Sequence, residues 1–69
     1  MLENLTNREY QVLKLVTDGY SNSQISKSLN ITVHTAKAHV QSILYKFKVK
    51  NRVQAAVLAT KLVNKSLEN

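Results

Sequence analysis

The fold is decided by residues 21–47, which read SNSQISKSLNITVHTAKAHVQSILYKF. Ser21 and Gln24 have the spacing of a capping box, in which each side chain satisfies a backbone amide at the start of a helix. Asn30 tolerates the left-handed conformation that ends a helix. The sequence therefore predicts a short helix over residues 22–29.

A longer helix is predicted over residues 33–47, with Thr32 as its N-cap. One face of this helix is continuously apolar, which is typical of a helix packed on a core. Very few residues separate it from the short helix, so the two are expected to cross at a large angle as a helix-turn-helix, whose second helix can enter the major groove of DNA. The residues of the apolar stripe are Ala36, Val40, Ile43, Leu44 and Phe47.

Two outer helices complete the predicted fold. Thr6 and Glu9 form a second capping box, and Gly19 stands where a left-handed residue would end the first helix. These patterns predict a first helix over residues 7–18 and a last helix over residues 52–64. The expected architecture is all-α, a four-helix bundle that contains a helix-turn-helix.

Length and composition exclude several classes of protein. The 69 residues allow a single domain over 1–69, and its ends, 1–4 and 65–69, are expected to fray. The absence of cysteine excludes disulfides and thiolate metal sites. Without a long apolar run, neither a membrane span nor a secretion signal is expected. The sequence also suggests no cofactor and no small-molecule ligand.

The positive charge lies in the second half of the chain. The net charge of the whole chain is +6. Acidic and basic residues balance over residues 1–33, so the excess falls in residues 34–69. A soluble domain with such an asymmetric basic charge typically binds a polyanion, although a solvated basic face that only aids solubility has the same pattern.

The polar face of the third helix carries groups that can read base edges. Lysine can donate to guanine, glutamine can pair with adenine, and a small methyl can contact the thymine methyl. An ordinary amphipathic helix also has a polar outer face; the preceding short helix and the following basic cluster favour the DNA-reading interpretation. The candidates for base contacts are Lys37, Ala38, Gln41 and His34, and Tyr45 lies on the same face.

The flanking residues suit contacts with phosphates. The N-termini of the second and third helices offer free amides and the positive end of the helix dipole to an anion. The basic residues around the next turn can hold the same DNA backbone. The candidates for phosphate contacts are Ser21, Asn22, Thr32, Val33, Thr35, Lys46, Lys48, Lys50 and Arg52.

The last helix has two apolar faces. One suits the core, and the other has small, weakly apolar residues that a chain of this size has little left to cover. Contact between two copies of this face would form a twofold dimer with its reading helices about 34 Å apart, one turn of DNA. Four tolerated surface residues are the plain alternative. The residues of this candidate dimer face are Val53, Ala56, Val57 and Thr60.

The ordered set of motifs resembles the LuxR-type helix-turn-helix family, also called the GerE-like DNA-binding domain, over roughly residues 3–62. The resemblance rests on Leu5-Thr6 with Arg8-Glu9, Gly19-Tyr20-Ser21-Asn22, Leu29-Asn30-Ile31-Thr32, Thr35-Ala36-Lys37-Ala38-His39-Val40 and Val49-Lys50-Asn51-Arg52. It implies a bacterial-type transcription regulator with its third helix in the major groove and its fourth helix as the dimer contact. By that likeness, Lys37, Ala38 and Gln41 fall at base-contacting positions.

The resemblance also implies partners and a cellular location. The partners are double-stranded DNA, a second copy of the chain on that DNA, and RNA polymerase. The location is the cytoplasm, in the bacterial nucleoid or in an organelle of bacterial descent. Members commonly form the output end of larger proteins, so the chain is expected to be a stand-alone regulator or such an output domain. Lys48 stands where many members have a glycine, so it is expected to adopt a left-handed conformation.

Three other functions compete with this interpretation. An enzyme is disfavoured because His34 and His39 are about 140° apart around a helix, too far for two ligands of one metal, and no nucleophile motif is present. A protein-interaction module of the same fold would not need the net charge of +6. A promoter-reading segment of a sigma factor uses a similar helix pair but not a dimer-like fourth helix.

Overall fold

The computed structural model describes residues 2–68, with side chains described over residues 2–62. Over the described range the chain has helices joined by short turns and no strand, which confirms the expected all-α fold class. A 3-10 turn leads into four α-helices: Leu2–Asn4, then α1 (Asn7–Thr17), α2 (Asn22–Leu29), α3 (Val33–Phe47) and α4 (Arg52–Glu68).

The predicted helix bounds agree with the structure except at the C-terminal ends of the first and last helices. The first helix ends at Thr17, one residue early, and the last runs to Glu68, four residues beyond the expected end at 64. Leu2–Asn4 forms a 3-10 turn in which the Leu2 carbonyl accepts from the Leu5 amide at 3.1 Å. Leu2 also packs against the core, so burial of an apolar side chain holds this segment in place. Met1 and Asn69 lie outside the described residues.

Side-chain caps begin all four helices. Both predicted capping boxes are confirmed, with the reciprocal bonds between cap and third helical residue present at α1 and α2. At α4, Asn51 accepts from the Gln54 amide at 2.9 Å. Each cap satisfies an amide that the helix cannot satisfy itself, so each helix start is a local property of the sequence.

Left-handed residues end the first three helices. Gly19 has φ 85° and Asn30 has φ 57°, as the sequence predicted, and Lys48 has φ 58°, as the family resemblance implied. Glycine adopts this conformation without strain. A lysine with a Cβ does so at a cost of roughly 1–2 kcal/mol, so the turn after α3 is locally strained.

The core lies between α1, α3 and α4, with α2 packed chiefly against α3. The apolar stripe of α3 is buried as predicted, with only Leu44 half-buried at its edge. Ile25 gives α2 its anchor because its side chain is completely buried. The remaining buried apolar residues are Val12, Leu13 and Val16 on α1, and Ala55 and Ala59 on α4. No helix in residues 2–68 is long and apolar enough to cross a membrane.

Candidate nucleic-acid interface

The outer face of α3 is presented to solvent as a single surface. The four predicted base-contact residues, His34, Lys37, Ala38 and Gln41, are all exposed, whereas the stripe on the opposite side of the helix is buried. One side of α3 is therefore held by the core, and the other is free to enter a groove.

Three of these residues, His34, Ala38 and Gln41, form a straight row along α3 together with Tyr45. At about 100° per residue, His34, Ala38, Gln41 and Tyr45 fall within an arc of about 60°. With a rise of 1.5 Å per residue, the row is about 16 Å long, and Lys37 lies beside it. We call His34, Lys37, Ala38, Gln41 and Tyr45 the reading face. Tyr45 ends the row with its side chain 84% exposed.

The N-termini of α2 and α3 leave backbone donors unused by their own helices. The Ser21 hydroxyl accepts from Gln24 N at 3.2 Å, and the Thr32 hydroxyl accepts from Thr35 N at 3.0 Å. These caps satisfy the third amide of each helix, and helical geometry gives the first two no partner within the helix. The amides of Asn22 and Val33 therefore suit an anion at these sites.

Lys46 has a different environment from the one its sequence position suggested. Its ammonium donates to Glu9 Oε1 at 2.7 Å and to the Asn4 carbonyl at 3.1 Å. Glu9 is buried, and its second carboxylate oxygen accepts from Ser42 Oγ at 2.5 Å. The contacts join α1 to the C-terminal half of α3, so Lys46 is a structural cation in this arrangement.

Burial raises the pKa of the Glu9 carboxyl, but other effects outweigh it. Hydrogen bonds from Lys46, from Ser42 and from the Thr6 amide, together with the positive charge of Lys46, lower the pKa to about 2. Glu9 is therefore ionised at neutral pH. The sequence pattern places Glu9 only in the capping box. Its contact with α3 has no local signal, because the partners are 33 and 37 residues away.

Arg52 also donates to acceptors within the chain. One guanidinium nitrogen donates to Asn22 Oδ1 at 2.8 Å and another to the Tyr20 carbonyl at 2.7 Å. These bonds connect the start of α4 to the start of α2. They also orient Asn22: with its oxygen turned to Arg52, its NH₂ group is available as a donor.

The remaining basic candidates lie on the surface. Lys48 and Lys50 are both exposed in the turn between α3 and α4. The backbone amide of Lys50 donates to Gln54 Oε1 at 2.8 Å, which holds the backbone of this turn. The two ammonium groups can therefore reach outward from a fixed position.

The candidate dimer face is exposed at three of its four positions. Val53 is 68% and Val57 50% exposed, and Thr60 is exposed, with its hydroxyl donating to the Ala56 carbonyl at 2.9 Å. Ala56 is half-buried and packs against the core, because it lies at the edge of the face. A shallow groove of about 300 Å³ overlaps this face at Val53 and Val57, and its other lining residues are Val49, Gln54, Leu58 and Lys61.

Over residues 3–59, the chain matches the model of a family described as bacterial regulatory proteins, luxR family. The chain belongs to the LuxR family. The match includes the helix-turn-helix, the reading face and all of the predicted phosphate sites. Membership makes this a regulatory domain of the DNA-binding type, in agreement with its all-α fold and exposed α3 face. Within residues 2–68, no three His, Cys, Asp or Glu side chains are grouped so that they could hold a metal ion.

Similar proteins include the response regulator protein VraR of three staphylococci. The chain is 44% identical over 59 residues to VraR of Staphylococcus aureus, Staphylococcus saprophyticus and Staphylococcus epidermidis. The aligned part is 86% of this chain and 28% of each relative. This LuxR-family domain thus spans just over a quarter of the length of those proteins.

Proposed function

We propose that this LuxR-family domain binds specific sequences of duplex DNA by inserting α3 into the major groove. The observation that supports this most directly is the division of α3 into a buried stripe and an exposed reading face. One side of α3 presents a charged, an amide, an imidazole and a methyl group, and the opposite side is packed against the core. These groups belong to Lys37, Gln41, His34 and Ala38. Such groups on one helix face can distinguish base pairs in the major groove.

The DNA backbone is held by the groups around α3. The N-terminal amides and side chains of α2 and α3 suit phosphates, and the exposed ammonium groups of Lys48 and Lys50 suit the same backbone. We assign Lys46 and Arg52 a supporting role, because each already donates to two acceptors in the chain. The proposed phosphate contacts at the helix starts are Ser21, Asn22, Thr32, Val33 and Thr35.

Two copies of the domain are proposed to meet through α4 on the DNA. Val53 and Val57 expose large apolar surfaces one helical turn apart, with Thr60 and the edge of Ala56 beside them. A twofold contact on this face is self-complementary, because the same residues come from both copies. It would place two reading faces on successive turns of one side of the duplex.

The relatives suggest a place for this domain in signalling. They are response regulators, and this chain corresponds to just over a quarter of their length. We propose that the domain is the output part of a two-component response regulator in the bacterial cytoplasm. By binding DNA, the domain would bring the regulator to a promoter, and the regulator would in turn bring RNA polymerase there.

Selection of bound sequences from a random pool of duplexes tests this function. An enriched motif with inverted half-sites would support sequence-specific binding by a dimer. Failure to enrich any sequence, with a folded domain, would favour a protein-interaction module. Enrichment only in the presence of RNA polymerase would favour a promoter-reading segment of the sigma type.

Removal of base-reading side chains should relax specificity. Lys37→Ala and Gln41→Ala are each expected to cost about 1–3 kcal/mol on the selected sequence, with a smaller loss on unrelated DNA. Titrations by fluorescence anisotropy on both duplexes would measure the difference. Lys14→Ala, which removes an exposed cation from α1, is the charge-matched control for Lys37. Equal losses on the two duplexes would contradict base reading.

Removal of a phosphate contact should act on all sequences alike. Lys50→Ala is expected to weaken binding to selected and unrelated duplexes by the same factor, because the phosphate backbone does not depend on sequence. The slope of log K against log salt concentration should become shallower by about 0.9. Binding measured at four salt concentrations checks this, and an unchanged slope would show that Lys50 touches no phosphate.

A further inference from the structure

Tyr45 is the most exposed of the three tyrosines. Its side chain is 84% exposed, against 43% for Tyr10 and 37% for Tyr20. A single exposed aromatic residue on a protein surface is ordinary. Tyr45 differs because it ends the row that begins with His34, Ala38 and Gln41, on the surface proposed to face DNA.

The electrostatics at this end of α3 are unfavourable for a phosphate unless donors are supplied. The C-terminal carbonyls of a helix carry its partial negative charge. Lys46, the basic residue of the last turn, points its ammonium at Glu9 and the Asn4 carbonyl. Exposed donors at this end include the phenol of Tyr45 and the ammonium of Lys48, the left-handed residue that ends α3.

We propose that Tyr45 is a DNA backbone contact at the far edge of the groove. Its hydroxyl donates to a phosphate oxygen, and its ring lies against the adjacent deoxyribose. Tyrosine is among the side chains that bond phosphates in protein–DNA complexes, and its ring gives contact area with few rotatable bonds. This inference rests on the proposed function, because it requires α3 to lie in the major groove.

The test compares Tyr45→Phe and Tyr45→Ala with the unmodified domain. Loss of the hydroxyl alone should weaken binding about three- to tenfold, and loss of the ring should weaken it further. The factor should be the same on selected and unrelated duplexes, and the salt slope should not change, because no charge is removed. Tyr10→Phe, the same change on α1, is the matched control, and circular dichroism would verify that every variant is folded.

A second readout uses the absence of tryptophan. In a Tyr10→Phe/Tyr20→Phe variant, Tyr45 is the only tyrosine left to fluoresce. Addition of duplex DNA should quench this emission at the concentrations that saturate binding in anisotropy. Emission that stays constant while anisotropy rises would overturn the contact.

The outcomes separate this inference from the function on which it rests. If the unmodified domain binds no duplex, the proposed function fails and the Tyr45 contact fails with it. If the unmodified domain binds DNA and both Tyr45 variants bind it as tightly as the unmodified domain does, only the Tyr45 contact is overturned. A loss confined to the selected duplex would also overturn it, since it would make Tyr45 a reader of bases.

Discussion

The Val57→Glu variant is expected to protect one half-site of the DNA where the unmodified domain protects two. Val57 is 50% exposed, so a glutamate there stays solvated in the single domain and leaves the fold intact. In a twofold contact through α4, each copy would bring one carboxylate into an apolar interface. Burial of such unpaired, like charges is strongly unfavourable.

The loss of DNA affinity in Val57→Glu should be large on duplexes with two half-sites and small on duplexes with one half-site. Linked binding of two domains can exceed the affinity of one by about 10²–10⁴-fold, and this gain disappears without the dimer. Footprinting and anisotropy on full and half-site duplexes measure both effects. Gln11→Glu places the same charge on the exposed surface of α1 and serves as the control. A full footprint from folded Val57→Glu would end the dimer proposal.

The Glu9→Ala variant is expected to lose about 2–4 kcal/mol of folding free energy. Removing one member of a fully buried ion pair costs about 3–5 kcal/mol, and here Glu9 is buried but Lys46 is only partly so. The substitution leaves the Lys46 ammonium and the Ser42 hydroxyl without their carboxylate, and removes an acceptor from the start of α1. A domain of 69 residues has a total stability of roughly 3–10 kcal/mol. The variant should therefore be marginally folded at 25 °C.

Urea denaturation followed by circular dichroism measures this change. Asp18→Asn removes an exposed carboxylate at the end of the same helix and should change the stability by less than about 0.5 kcal/mol. If Glu9→Ala lowers the free energy of unfolding by no more than Asp18→Asn does, the contact between α1 and α3 contributes little to the stability of the fold.

The same carboxylate should make the fold sensitive to acid. Its pKa is lowered to about 2 in the folded chain from an ordinary value of 4.5, so ionised Glu9 favours folding. This stabilisation is complete above pH 4.5 and is lost as the pH falls through 2, by about 3 kcal/mol in all. The Glu9→Gln variant has no carboxyl to protonate at this position. Its urea midpoints between pH 6 and pH 2 should therefore lack the part of the decrease that Glu9 causes in the unmodified domain.

The parts of the fold that sequence analysis predicted are those set by near neighbours. The caps at Thr6, Ser21 and Thr32 bond to residues three positions away. The left-handed ends at Gly19 and Asn30 depend on the conformational preference of a single residue. The apolar stripe of α3 follows from helical periodicity alone, and with it the exposure of the reading face.

The parts that sequence analysis missed depend on contacts between distant residues. Nothing local indicates that Lys46 meets Glu9, or that Arg52 meets Asn22 across 30 positions. A count of charges therefore treats Lys46 and Arg52 like Lys50, although their side chains are already bonded within the fold. The half-burial of Ala56 was missed because α4 is apolar on two faces and periodicity does not give the boundary between them.

The bonds from Arg52 to Tyr20 and Asn22 have a mechanical consequence. They brace the first turn of α4 against the first turn of α2, which packs on α3. In the proposed dimer through α4, a rotation of one domain about the twofold axis would therefore carry the α2–α3 pair with it. Such a pair would fix the distance and angle between its two reading faces, so a DNA site with one extra base pair between its halves should bind the proposed dimer more weakly.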